Sequence, residues 1–242
     1  MKKVVVVAPT YNEGENISSF LEAVLRVQKR IKDYRLEVVI SDSHSSDTTA
    51  TLVKKLSWKN KNVHYLDVQR RGLGWALVRG LDYAGDRLSA DVLITMEADL
   101  SNNPDQVPQF LAALDRADLV IGSRYIKGGK VMNWSWWRKA LSLTANLLLR
   151  ILVWAPDVHE FTNLYRGFKR DVWVKIRPEV RGHRDWIFVP AFIFAALGRA
   201  LRIREVPIIY YDRFGGRSKM NTLSYSKNLL RYALRYRLRK FV

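Results

Sequence analysis

Five short apolar runs, at residues 2–8, 36–40, 63–66, 92–96 and 119–122, constrain this chain more than any other feature. The run at 92–96 is apolar on both faces and closed by polar residues. A strand covered on both faces in a parallel sheet reads this way, whereas a strand with one wet face alternates. Helical periodicity fills the gaps, at residues 15–31, at a segment capped by Ser46 or Asp47 and reaching Leu56, at 72–83 and at 104–114. Ile17, Phe20, Leu21, Val24 and Leu25 carry the apolar stripe of the first. Parallel strands need crossover connections, and these helices supply them. The expected fold is therefore α/β, with a doubly wound, mostly parallel sheet.

Open α/β sheets bind ligands outside the carboxyl ends of their strands. The exits here carry Thr10, Tyr11 and Glu13, then Asp42, then Gly72-Leu73-Gly74, then Glu97 and Asp99. Glu97 and Asp99 are two positions apart just after a strand, so both can reach one hard cation of the kind that grips a diphosphate. Taken alone, the pair also reads as a solvated acidic turn before a helix at Pro104, with Asp99 or Asn103 as its cap. Its joint occurrence with the other three exits favours a ligand site.

The pattern changes after Tyr125. Trp134, Trp136 and Trp137 stand beside Arg138 and Lys139, ahead of a helix at residues 141–154 that is apolar on nearly every face. It is shorter than the roughly 20 apolar residues that span a bilayer. Trp and Arg at its ends suit an interfacial helix, and the same pattern suits a buried one. A strand is expected at 163–168, an apolar helix at 186–197, a strand at 202–208 and a Gly-rich basic loop at 213–219. Residues 222–242 read as an amphipathic helix with Lys227, Arg231, Arg235 and Arg239 in one stripe. Such a helix lies in a headgroup layer, where each basic residue contributes about 1 kcal/mol. The expected division is a catalytic domain at 1–220, including an interfacial region at 131–155, and a basic helix at 221–242.

The formal net charge is +18, and residues 213–242 hold nine Lys or Arg with no Asp or Glu. A basic excess points to nucleic acid, anionic membrane or a phosphorylated substrate. Nucleic acid is disfavoured, because no binding signature appears and the acids cluster at strand exits. The chain has no cysteine, hence no disulfide framework and no thiolate metal site. With an N-terminal apolar run too short for an export signal, the expected location is cytoplasmic, peripheral on the inner face of the membrane.

Six segments resemble family 2 glycosyltransferases, in particular the polyprenyl-phosphate (dolichyl-phosphate) mannose synthases. They are Pro9-Thr10-Tyr11-Asn12-Glu13, Asp42-Ser43-His44-Ser45-Ser46-Asp47, Glu97-Ala98-Asp99, Gly122-Ser123-Arg124-Tyr125, Glu160 with the six residues after it, and the basic loop from Arg213 to Lys219. The resemblance implies a GT-A-like fold and inverting transfer of mannose from GDP-mannose to a polyprenyl monophosphate. It implies that Pro9, Tyr11, Glu13, Asp42, Glu97 and Ala98 hold the nucleotide. Asp99, with Glu97 and Ser101, would hold Mg²⁺ or Mn²⁺. Arg124, Arg138 and Ser218 would bind the acceptor phosphate, and Arg213 and Lys219 would close over the phosphates.

The chain departs from that pattern in three places. Glu97 replaces the usual first aspartate, and Ser101 stands where an amide is usual, leaving water or Asn102 to complete the metal shell. Ser43 stands where a second acid is common. Transmembrane helices follow the catalytic domain in many members and are not expected here. The implied partners are a nucleotide-sugar donor, a polyprenyl-phosphate acceptor and an anionic membrane surface. A rival reading has a sugar or glycolipid hydroxyl as acceptor with Asp185 as general base, although Asp185 equally suits an N-cap.

Overall fold

The first apolar run forms β1 (Lys2–Thr10), which continues through Pro9 instead of stopping there. The register with the strand at Val92–Thr95 ends at Val7, so Pro9 lies where β1 has one neighbour, and its missing N–H is tolerated. The computed structural model describes residues 1–212 and the helix Thr222–Lys240. After β1 come α1 (Ile17–Arg26), β2 (Tyr34–Asp42), α2 (Thr49–Lys59), β3 (Val63–Asp67), α3 (Leu73–Asp82), β4 (Val92–Thr95), α4 (Val107–Ala113) and β5 (Leu119–Ser123). The second half adds β6 (Lys130–Val131), α5 (Trp136–Leu152), β7 (Arg166–Lys169), α6 (Arg170–Val180), α7 (Phe188–Gly198), β8 (Ile203–Pro207), β9 (Ile209–Tyr210) and α8 (Thr222–Lys240).

Among the described residues, seven strands form one sheet in the order β3-β2-β1-β4-β7-β5-β8. All its pairings are parallel except those of β7, which runs antiparallel between β4 and β5. The expected α/β, mostly parallel sheet is what forms. Val5 and Val7 of β1 enter one buried cluster, while Val4, Val6 and Ala8 enter the other. This period of two shows that both faces are covered. α1 and α4 supply Phe20 and Phe110 to one layer; α3, α6 and α7 supply Leu77, Trp173 and Phe192 to the other.

Several boundaries move for local reasons. Asn103 is the cap before Pro104, its Oδ1 accepting from Asp105 N at 2.9 Å, and a 3₁₀ turn precedes α4. The expected helix at 186–197 starts only at Phe188. α6 was not expected, because Arg, Asp and Lys crowd its sequence and Pro178 lies inside it. Its fold comes from Val172, Trp173, Ile176 and Val180, which share one buried face.

α8 is docked on the body of the protein. Leu229 and Ala233 are buried in the same cluster as α7, and Tyr236 donates its hydroxyl to Phe194 O at 3.0 Å. Arg237 donates to Leu152 O at 3.1 Å, tying α8 to the end of α5. Lys227, Arg231 and Arg235 remain exposed on the other side. α5 leaves Trp136, Leu143, Leu147 and Ile151 about half exposed or more. No helix among the described residues is long and apolar enough to cross a membrane.

Candidate active site

The carboxyl ends of β1, β2 and β4 and the turn before α3 enclose a cleft of 230 Å³. Pro9, Tyr11, Glu13, Glu97 and Ala98 line it together with Asp99, so six expected site residues share one wall. Asp42 does not line it. Its carboxylate is fully buried and accepts from Thr10 Oγ1 at 2.7 Å, Ser45 Oγ at 2.6 Å and Tyr65 Oη at 3.3 Å. Asp42 therefore braces the β1 and β2 exits from behind the cleft wall.

Three cleft residues, Arg70, Ala76 and Trp186, were missed from the sequence. Arg70 lays its guanidinium 3.9 Å from the centre of the Tyr11 ring. The basic pair Arg70-Arg71 just before Gly72 was the available signal. Trp186 enters from the loop ahead of α7. The glycine turn makes room for that loop. Gly72 sits at φ +105°, and a Cβ there would lie 2.3 Å from Arg184 O. Trp75 N donates to that same carbonyl at 3.1 Å. Only glycine combines this conformation with this approach.

The acidic pair is held by its own turn. Asp99 Oδ1 accepts from Ser101 N at 3.0 Å and from Ser101 Oγ at 2.6 Å. Ser101 thus orients Asp99 through its hydroxyl. Asn102 donates Nδ2 to Glu97, and its buried Oδ1 has no hydrogen-bond partner among the described residues. Burial, then the charge of Asp99, push the Glu97 carboxyl up to about 7, against the opposing field of Arg124 and the Asn102 hydrogen bond. Two carboxylates, one of them raised, beside an orphaned amide oxygen are a donor set that fits a hard divalent cation. Among the described residues no third His, Asp or Glu joins them. Such a site is completed by water and by phosphate oxygens of a substrate, as Mg²⁺ prefers.

The raised Glu97 carboxyl has a consequence for the metal-free protein. Its proton is lost from the unfolded chain near the ordinary value of 4.5 and from the folded chain only near about 7. Stability is therefore lost as pH rises across that interval and stays low above it. Urea midpoints taken with chelator at about pH 5 and about pH 8 should show the fall, and Glu97→Gln should flatten it. An unchanged slope in the variant would assign the effect elsewhere.

Arg124 and Arg138 do not line the cleft. Arg124 is buried and closes a fork on Glu160, with Nε to Oε2 at 2.7 Å and Nη2 to Oε1 at 2.9 Å. Its fork thus holds a carboxylate. A guanidinium this deep needs a buried counter-ion, and Glu160, held below the usual carboxylate range chiefly by Arg124 against its own burial, supplies it. Arg124 still lowers the Glu97 carboxyl through its field. Arg138 is partly exposed, pairs with Asp212 at 3.1 Å and stacks 3.9 Å from the Trp134 ring. Arg124 faces the same ring from 5.4 Å, so both arginines share one aromatic partition.

Arg166 was read only as part of a weak motif. It is buried, donates to Val189 O and Phe161 O, and leaves Nε without a partner among the described residues. Burial pulls its guanidinium down to about 9. Asp185 is exposed and lies off the cleft; its Oδ1 accepts from Ile187 N at 2.9 Å, capping the turn into α7. Arg213, Ser218 and Lys219, and the side chain of Arg239, lie outside the described residues.

Known proteins share both sequence and fold with this chain. Polyprenol monophosphomannose synthase of Mycolicibacterium smegmatis is 34% identical over 91% of this chain and 82% of its own length. Undecaprenyl-phosphate mannosyltransferase of Micrococcus luteus is 33% identical over 90% of this chain and 88% of its length. Dolichol-phosphate mannosyltransferase of Pyrococcus furiosus is 32% identical over 99% of this chain, which spans 64% of that relative. Among solved structures, glucosyl-3-phosphoglycerate synthase of Mycobacterium tuberculosis, in complex with Mn²⁺, UDP-glucose and phosphoglyceric acid, aligns with a TM-score of 0.70. That alignment covers 98% of this chain and 80% of the other at 18% identity, a likeness of fold. Residues 5–177 match the description Glycosyl transferase family 2, and with most of the sheet and the whole acidic pair inside that match, the chain belongs to this family of glycosyltransferases.

Proposed function

We propose that this protein transfers a mannosyl group from a nucleoside-diphosphate sugar, GDP-mannose, to the monophosphate of a polyprenyl lipid at the cytoplasmic membrane face. The observation that carries the reading is the single cleft holding the β1 turn, the glycine turn and the acidic pair. The names of the three relatives, each matched over 90% or more of this chain, supply the sugar and the acceptor class. The structural neighbour solved with Mn²⁺ and UDP-glucose supports a divalent cation with the donor.

In this reading Asp99 and Glu97, with Asn102 beside them, would hold Mg²⁺ or Mn²⁺, which would supply neutralisation of the leaving diphosphate. Tyr11, Glu13 and Arg70 bind and orient the nucleotide. A phosphate oxygen of the acceptor attacks the anomeric carbon as the carbon–oxygen bond to the diphosphate breaks, and the configuration inverts. The second pKa of a phosphomonoester is about 6, so this nucleophile carries no proton to remove at neutral pH. That agrees with a cleft wall on which Asp185 has no place. Arg124 and Arg138 set the positive field in which the acceptor dianion sits. Incubation with Mn²⁺, a panel of nucleotide sugars and short polyprenyl phosphates tests the reading. Transfer to sugar hydroxyls alone, lost in Asp185→Asn with donor binding intact, would replace it.

Two further results are expected. Gly72→Ala should drive the 183–185 backbone and Trp186 away from the cleft and weaken donor nucleotide binding by roughly tenfold or more, read by calorimetry. Leu143→Gln, Leu147→Gln and Ile151→Gln together should reduce co-sedimentation with anionic liposomes, because these exposed side chains are the apolar anchor of α5. Undiminished sedimentation would remove α5 from the membrane contact.

A further inference from the structure

A second cavity, of 450 Å³, opens between residues 182–185 and the middle of α8. His183, Arg184 and Asp185 form one wall, and Asn228, Arg231 and Arg235 form the other. The three α8 residues are three and four positions apart, so one helix face presents them together. Three guanidinium groups thus meet one carboxylate, and Asp185 already accepts from Ile187 N.

The neighbouring arginines behave differently. Arg177 pairs with Asp86 at 3.1 Å, Arg181 with Asp82 at 2.9 Å and Arg199 with Glu179 at 2.7 Å. Arg184, Arg231 and Arg235 form no such ion pair among the described residues. The His183 ring stands edge-on to Tyr232 at 4.7 Å and gives the cavity a floor of aromatic edges and polar nitrogen. A concave site with unpaired forks and amide donors matches the oxygens of a phosphate.

Its position separates it from the donor cleft. Trp186 lines the cleft, while Asp185 and Ile187 on either side of it line this cavity. The two sites are therefore back to back across one loop. Leu230 and Leu234 are exposed on α8 beside the cavity residues in sequence.

We propose that this cavity is a second anion site, which takes a phosphate monoester or diester, either on a lipid headgroup or as a free phosphate compound. The site stands apart from the donor reading, since none of its wall residues lines the donor cleft. The test uses the full chain in two arms. Inorganic phosphate is titrated by calorimetry, and flotation is measured with phosphatidylcholine vesicles with and without phosphatidic acid. Both arms are run on the parent protein, on Arg231→Gln/Arg235→Gln, and on Lys139→Gln/Lys227→Gln, which removes equal charge outside the cavity.

Saturable binding is expected in the parent, weakened roughly tenfold in the cavity variant and less than about twofold in the control. Response to phosphate assigns a free anion; response to phosphatidic acid vesicles alone assigns a headgroup. No saturable binding in either arm, or equal loss in both variants, overturns the site. A second measurement needs no variant: bound phosphate should protect Arg231 and Arg235 from an arginine-specific dicarbonyl reagent, read by mass spectrometry. Labelling undiminished both by phosphate and by phosphatidic acid vesicles would equally overturn it.

Discussion

Asp99→Ala is expected to lower kcat for sugar transfer by about three orders of magnitude or more while the protein stays folded. Asp99 is the acid whose geometry is most fixed, with Ser101 N and Oγ both on Oδ1. Truncation leaves these two donors without their acceptor, which costs about 1–3 kcal/mol of stability. It also removes the second-largest cause that raises the Glu97 carboxyl, so Glu97 should titrate closer to its ordinary range. The activity loss should accompany weaker Mn²⁺ binding. Product formation and metal titration on Asp99→Ala and Asp99→Asn check this. Full activity with unaltered metal dependence in Asp99→Ala would mean the acidic pair is not the metal site.

Glu160→Ala is expected to be the most destabilising single change near the site, at about 3–5 kcal/mol. Glu160 is fully buried and takes both Arg124 bonds, the Thr162 hydroxyl and the Thr162 and Asn163 amides. Its loss strands a buried guanidinium, which is worse than losing the pair together. The double variant Arg124→Met/Glu160→Met should therefore be more stable than Glu160→Ala, yet inactive on the proposed role of Arg124 toward the acceptor phosphate. Urea denaturation of the two variants and the parent gives the comparison. Equal stability of Glu160→Ala and parent would contradict the assignment of this pair as the buried brace.

The strand exits were legible because their residues are local in sequence. Two-sided apolar runs mark β1, β2 and β4, and the residues that end them become the cleft wall. What could not be read was long-range. Nothing around residue 42 says that Thr10 and Tyr65 will close on the Asp42 carboxylate. Arg124 was visible as a cation but its partner lies 36 positions on, in a segment without regular periodicity. β7 was seen as a strand, whereas its direction depends on which neighbours it joins. α8 was read as facing lipid because its apolar arc is wide. Part of that arc, Leu229 and Ala233, is buried against the protein and part, Leu230 and Leu234, is exposed.

The antiparallel insertion of β7 also sets a timetable for synthesis. β4 and β5 both pair with β7 and not with each other, and the other neighbour of β5 is the still later β8, so a nascent chain that has finished β5 carries three unpaired edges on these two strands. The stretch from residue 124 to 169 must still be translated, which at about 5–20 residues per second takes roughly 2–9 s. Unpaired edges template pairing with other chains. During that interval Glu97 and Asp99 hang from the free end of β4, and that strand gains its antiparallel neighbour only when Arg166–Lys169 leaves the ribosome and closes the gap.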